Sequence, residues 1–143
     1  MLMIIGAGPM QVPAIRIARQ MGLATLVTDY NAEAPGLALA DLPVVMSTKD
    51  IEGSVRIARQ YAHTLKGVIT VGTDASLTVA AVAGAIGLPG IHYEAAENST
   101  HKLKMRTVLR AAGVAVPDFG GVWTIDEARA CATRIGYPVV VKP

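Results

Sequence analysis

The sequence predicts an α/β protein: an open, mostly parallel sheet with flanking helices. Three observations carry this expectation. Short apolar runs alternate with helix-period patterns, the signature of βα units. The first run stops at a glycine-rich turn that opens a helix, the usual layout of such a unit. Apolar types make up 52% of the 143 residues and charged types 17%, the balance of a folding chain rather than a disordered one. That length accommodates one domain, or one domain and the beginning of another.

Each element follows from local pattern. Leu2 to Ile5 is the first strand, ending at Gly6-Ala7-Gly8-Pro9. A helix then runs to about Met21, with Val12, Ile15 and Ala18 facing inward and Arg16 and Arg19 outward. Pro13 falls in its first turn, where a missing N–H does little harm, and Gly22 suits the position after its end. Ala24 to Thr28 is the second strand, with Asp29-Tyr30-Asn31 at its carboxyl end. Residues 32–41 read as loop and short helix, and Pro43 to Met46 as a third strand. A second amphipathic helix spans about Ile51 to Leu65, and Val68 to Val71 is a fourth strand ending at Gly72-Thr73-Asp74. Capping of the next helix by Thr73, Asp74 or Ser76 is the plainest role for that turn. The helix, Ala75 to Ile86, is rich in small residues and suited to close packing; Leu88 to Ile91 reads as a last short strand.

Beyond this point the pattern changes. Asn98-Ser99-Thr100 offers helix caps, and a helix continues through Leu109 to Gly113. Residues 114–122 are expected to be extended. Thr124 and Glu127 have capping-box spacing for another helix that ends at Gly136, and Tyr137 to Pro143 reads as a strand. These features divide the chain into a domain at 1–93, a linking helix at 94–113 and a piece at 114–143 too small to hold a core alone.

Composition excludes several classes. A formal charge of +2 without Lys/Arg blocks lacks the footprint of a nucleic-acid binder. The longest uncharged stretch, Ala75 to Tyr93, is broken by glycine and proline and falls short of the ~20 residues needed to span a bilayer. The N-terminus shows no targeting pattern. One cysteine, Cys131, cannot form an internal disulfide and fits a reducing cytoplasm. His63, His92 and His101 lack metal-ligand spacing.

Three places could carry chemistry. Gly6-Ala7-Gly8-Pro9 lets backbone N–H groups approach a ligand at a helix start, which favours anions. A dinucleotide fingerprint would want glycine or alanine where Gln11 stands, although Asp29 lies roughly where such folds put a ribose-binding acid. Gly72-Thr73-Asp74 lies at the edge where parallel sheets gather ligands. Lys102, Lys104, Arg106 and Arg110 crowd one helix, a pattern most simply read as a solvated basic face. Lys142 ends a Val-Val-Val run expected to be buried, where a lysine needs a counter-charge, and a phosphate would provide one. Trp123 is expected to anchor the C-terminal piece.

Taken in order, these pieces resemble the N-terminal part of an ATP-grasp enzyme: a Rossmann-like, biotin-carboxylase-N-like pre-ATP-grasp domain followed by the first elements of the α+β ATP-grasp domain. Gly6-Ala7-Gly8-Pro9-Met10-Gln11 resembles the family's first turn. Asp29 with Ala34-Pro35-Gly36 and Ala40-Asp41 is similar to its purine-biosynthesis carboxylase branch, and carbamoyl-phosphate-synthase-like members share the plan. The helix from Lys102 to Ala112-Gly113-Val114-Ala115-Val116-Pro117 looks like the lysine-led helix that opens the ATP-grasp domain. Gly136-Tyr137-Pro138-Val139-Val140-Val141-Lys142-Pro143 closely matches a family strand.

The resemblance implies an ATP-dependent ligase that activates a small-molecule carboxylate or bicarbonate as an acyl phosphate, which an amine then attacks. Lys102 and Lys142 would hold ATP phosphates. His101 stands where an acid commonly precedes the first lysine, which leaves Lys104 as the alternative. Gly6, Gly8, Pro9, Asp29, Gly72, Thr73 and Asp74 would line the substrate side. Magnesium would be used by the full-length enzyme, whose metal-binding residues and glycine-rich flap would follow Pro143, so the chain alone is expected not to catalyse. No nucleic-acid or membrane partner is implied, and a homodimer is left open. Two other classes remain: a nicotinamide-cofactor-binding oxidoreductase domain using Gly6, Gly8 and Asp29, and a non-catalytic assembly module of a split enzyme.

Overall fold

The computed structural model describes residues 1–142 and divides into two compact units, Met1–Glu97 and Asn98–Pro143. The first unit runs β1 (Leu2–Ile5), α1 (Val12–Gln20), β2 (Thr25–Asp29), a 3₁₀ turn (Leu37–Leu39), β3 (Leu42–Val45), α2 (Ile51–Gln60), β4 (Gly67–Thr70) and α3 (Ser76–Ala85). A helix α4 (Tyr93–Thr100) follows. The four strands form one parallel sheet in the order β3-β2-β1-β4. Chain order therefore reverses at β1: the chain builds outward to β3, then crosses back to pair β4 with β1. Such a reversal leaves a crevice beyond the carboxyl ends of the two strands.

Both sheet faces are covered, as the nearly continuous apolar strands require. On one face Ile4 and Val27 pack with Ile15 of α1, Ala34 and Leu37. On the other, Met3, Ile5, Leu26 and Val68 pack with Ala58 of α2 and with Val82 and Ala83 of α3. Inward Ile15 and Ala18, outward Arg16 and Arg19, and Gly22 at φ 72° agree with the sequence pattern of α1. The Gly22 N–H donates to the Arg19 carbonyl and the Leu23 N–H to the Ala18 carbonyl, a Schellman ending.

Several expectations are corrected. Residues 88–91 form no strand. Gly87 turns the chain at φ 70° and the Leu88 N–H donates to the Ala83 carbonyl, so Leu88 closes α3 instead of joining the sheet. No side chain caps α3, which begins after Ala75. Asn98, Ser99 and Thr100 belong to α4, and the next helix is capped by His101, whose Nδ1 accepts the Lys104 N–H at 3.3 Å. No helix among the described residues is long and apolar enough to cross a membrane.

Asp41 ties the far edge of β2 in place. Its Oδ2 accepts the Thr25 N–H at 2.8 Å and lies 3.0 Å from the Thr25 hydroxyl. The backbone bond, then the hydroxyl, hold the Asp41 carboxyl below its ordinary value of 3.8. A lowered native value makes this carboxylate's stabilisation complete above pH 3.8 and lost as pH falls through the native value. Asp41→Asn should therefore flatten the acid limb of a stability–pH curve measured by urea unfolding.

The second unit contains α5 (Lys102–Ala111) and α6 (Ile125–Ile135), and none of its residues from 98 to 142 is buried. Local polar contacts organise it. Arg110 meets Asp118 at 3.3 Å and lies 4.3 Å from the centre of the Phe119 ring. Thr124 Oγ1 accepts the Glu127 N–H while the Glu127 carboxylate accepts the Thr124 N–H, the expected capping box. Thr124→Ala should weaken α6 by about 1 kcal/mol, seen as reduced helical circular dichroism in an α6 peptide.

The expected buried strand at residues 137–142 is also corrected: no strand forms there, and Val140 and Val141 are exposed. An apolar run becomes a buried strand only beside a partner, and none of the described residues pairs with it. Pro143 lies outside the described residues. Trp123, expected to be an anchor, is 80% exposed.

Candidate functional site

At the strand-order reversal, the segments after β1 and β4 turn through glycine. Gly6 has φ 100° and Gly72 φ 61°, conformations that disfavour any side chain with a Cβ. Between them opens a cleft of about 280 Å³ lined by Gly6, Gly8, Pro9, Asp29, Gly72 and Thr73. Six of the seven residues expected on a substrate side are thus brought together. Asp74 is not in this lining and is exposed, because the chain after Gly72 carries Thr73 toward Gly6 and leaves Asp74 outside.

The turn after β1 is pinned from several directions. The Gly6 N–H donates to the Thr28 carbonyl at 2.7 Å. Asp29, only 8% exposed, accepts the Ala7 N–H on Oδ2 at 2.7 Å and the Asn31 N–H on Oδ1 at 2.9 Å. The Ala7 carbonyl accepts the Gly36 N–H at 2.7 Å. Asp29 lines the cleft, and its carboxylate also holds the glycine turn against the end of β2.

Gln11 explains why the turn departs from a dinucleotide fingerprint. Its buried side chain packs under Gly6 and Gly8, and its amide donates to the Val71 carbonyl. It therefore bridges the two strand ends instead of capping α1, which has no side-chain cap. Met10, Gln11, Tyr30 and Thr48 complete the lining. Sequence reading did not assign these four to the site. Met10, Gln11 and Tyr30 adjoin motifs it did choose, but Thr48 comes from the turn after β3 and carries no local signal. Its carbonyl accepts the Thr78 hydroxyl of α3 at 2.7 Å, which brings that turn inward.

The two candidate phosphate lysines lie in the second unit. Lys102 is the first residue of α5 and Lys142 follows the unpaired valines; both are exposed. Among the described residues no group of three His, Cys, Asp or Glu side chains is placed to hold a metal ion. A second hollow of about 510 Å³ lies along α2, lined by Ile51, Glu52, Val55, Arg56, Arg59 and Gln60, all of that one helix.

Several known proteins resemble the chain in sequence or in fold. The carbamoyl phosphate synthase large chain of Thermomicrobium roseum is 26% identical over 159 residues, covering 98% of this chain and 15% of that protein. The formate-dependent phosphoribosylglycinamide formyltransferase of Wolinella succinogenes is 28% identical over 145 residues, covering 99% of this chain and 37% of that protein. The crystal structure of phosphoribosylglycinamide synthetase from Anaerococcus prevotii superposes with a TM-score of 0.77 at 25% identity, over 96% of this chain and 35% of that one. The chain thus spans well under half the length of these relatives. No protein-family model matches it. The sequence relatives are ATP-grasp enzymes, and in fold the chain corresponds to the N-terminal part of its structural neighbours, which are ATP-grasp enzymes as well.

Proposed function

We propose that the chain is the N-terminal part of an ATP-dependent ligase joining a small-molecule carboxylate, or bicarbonate, to an amine. A carboxylate oxygen attacks the terminal phosphorus of ATP and ADP leaves. The amine nitrogen then attacks the acyl carbon, phosphate departs, and the nitrogen loses a proton. The observation that supports this most is similarity to ATP-grasp enzymes along nearly the whole chain, joined to a cleft at the strand-order reversal.

In this reading the first unit contributes the substrate-side cleft. Lys102, with Lys104 as the alternative, and Lys142 would place ammonium groups against ATP phosphates, compensating their charge. When bound, ATP supplies the phosphoryl group that turns a carboxylate oxygen into a leaving group. Magnesium would neutralise the charge that develops in phosphoryl transfer. Cytoplasmic location and pairing of two copies belong to the same proposal.

The oxidoreductase alternative is less well supported. Both Asp29 carboxylate oxygens already accept backbone N–H groups, and Gln11 fills the space beneath the glycine turn.

The test is a polypeptide that continues past Pro143. Its sequence should enter a Gly/Ser-rich loop and later a carboxylate cluster; a continuation lacking both would count against an enzyme. In that polypeptide, Lys142→Ala should raise the KM for ATP by about 10–100-fold, the loss of one charge-assisted phosphate bond. An unchanged KM would remove Lys142 from the phosphate site.

A further inference from the structure

The two helices of the second unit begin in opposite ways. Helix α6 opens on the Thr124 hydroxyl, and Asp126 and Glu127 in its first turn meet the positive end of the helix dipole. Helix α5 opens on an imidazole. His101 Nδ1 accepts the Lys104 N–H at 3.3 Å, and the first turn holds Lys102 and Lys104 and no acidic residue. Cations there oppose the dipole, so the start of α5 depends on its cap more than the start of α6 does.

A ring nitrogen accepts a hydrogen bond only while it keeps its lone pair. Accepting at Nδ1 therefore requires the neutral ring, with its proton on Nε2. Imidazole is also the side chain that changes charge between about pH 5 and 8. A proton taken from solvent onto Nδ1 removes the acceptor of the Lys104 N–H. It also adds a further cation to a helix start that already carries Lys102 and Lys104. Both effects act against the first turn.

The surroundings leave the ring open to that proton. His101 is exposed. The segment that lies against α5 through Gly121 and Leu103 carries one charged side chain, Asp118, which pairs with Arg110 of α5. In α6, Asp126 meets Arg129, Glu127 closes the capping box, and Arg134 donates to the Phe119 carbonyl. Glu94 and Glu97 of α4 precede His101 in the chain; a carboxylate favours a protonated ring and so does not resist the change.

We propose that His101 is a proton-operated cap: neutral, it orders the first turn of the lysine-led helix α5, and protonated, it releases that turn. The proposal stands on the helix geometry. The ligase reading adds only that Lys102, a phosphate contact in that reading, is the first residue of the responding turn.

The test is amide NMR on the isotopically labelled chain, without ATP, from about pH 8 to about pH 5. The Lys104 resonance should titrate together with the His101 ring. Hydrogen-exchange protection of Met105, whose N–H donates to the His101 carbonyl at 2.8 Å, should fall about fivefold once intrinsic exchange is divided out, the weight of one side-chain cap. His101→Asn supplies a cap that does not titrate and should hold Met105 protection level across the range. His101→Ala should show the low protection at both ends. The Glu127 amide is the internal control, because its acceptor is the Thr124 hydroxyl. A Lys104 titration that survives in His101→Asn, equal Met105 protection in the native chain and His101→Ala at the alkaline end, or a parallel change at Glu127 would each overturn the proposal. These outcomes do not depend on phosphoryl transfer, which the Lys142→Ala kinetics test separately.

Discussion

Asp29→Ala should destabilise the first unit by roughly 3 kcal/mol, the range expected when a buried donor loses a charged partner. The Ala7 N–H loses its 2.7 Å bond, and Ala7 is fully buried, so solvent does not readily replace the carboxylate. The Asn31 N–H loses its partner as well. Urea unfolding followed by far-ultraviolet circular dichroism would give the change as a shift of midpoint at constant slope. A loss below about 0.5 kcal/mol, the scatter of ordinary surface substitutions, would show that Asp29 does not hold the turn.

Gly36→Ala should have a comparable effect for a steric reason. Gly36 has φ −71° and ψ −27°, a conformation open to every residue, so backbone freedom is not what selects glycine. Close approach does. An added Cβ would lie 2.7 Å from Ile15 Cδ1, 2.8 Å from the Ala7 carbonyl oxygen and 2.9 Å from Ala7 Cα. Two of these atoms are backbone and cannot rotate aside, and the same Ala7 oxygen accepts the Gly36 N–H at 2.7 Å. Relieving the overlap means separating the 3₁₀ segment from the glycine turn, at a cost of about 1–3 kcal/mol. Thermal unfolding should fall by several degrees, and the Gly6 and Gly8 amide resonances should shift. An unaltered melting temperature would refute the close approach.

The same contact shows what could be read locally. Ala34-Pro35-Gly36 carries part of the family resemblance, yet no pattern within those three residues says that Gly36 presses on Ala7. That fact depends on two segments nearly thirty positions apart. Asp29 behaves similarly. Its place at the end of the second strand is legible from periodicity, while its expected ligand contact is what the family resemblance implies; the packing of β1 against β2 makes it the support of the turn as well.

Local pattern is enough for the alternation of strands and helices, the glycine turns at the cleft, the Gly22 helix ending and the Thr124–Glu127 capping box. Each depends on residues close together in the chain, where steric limits on φ and ψ, side-chain periodicity and short-range hydrogen bonds operate. Long-range packing, in contrast, pairs β4 with β1, brings Thr48 and Gln11 into the cleft while Asp74 stays outside it, and makes Leu88 close a helix. The fold likewise leaves Val140 and Val141, before Lys142, exposed. A run of valine states only that burial would be favourable. Whether it is buried depends on a neighbouring surface, and a neighbour is a property of the fold rather than of the run.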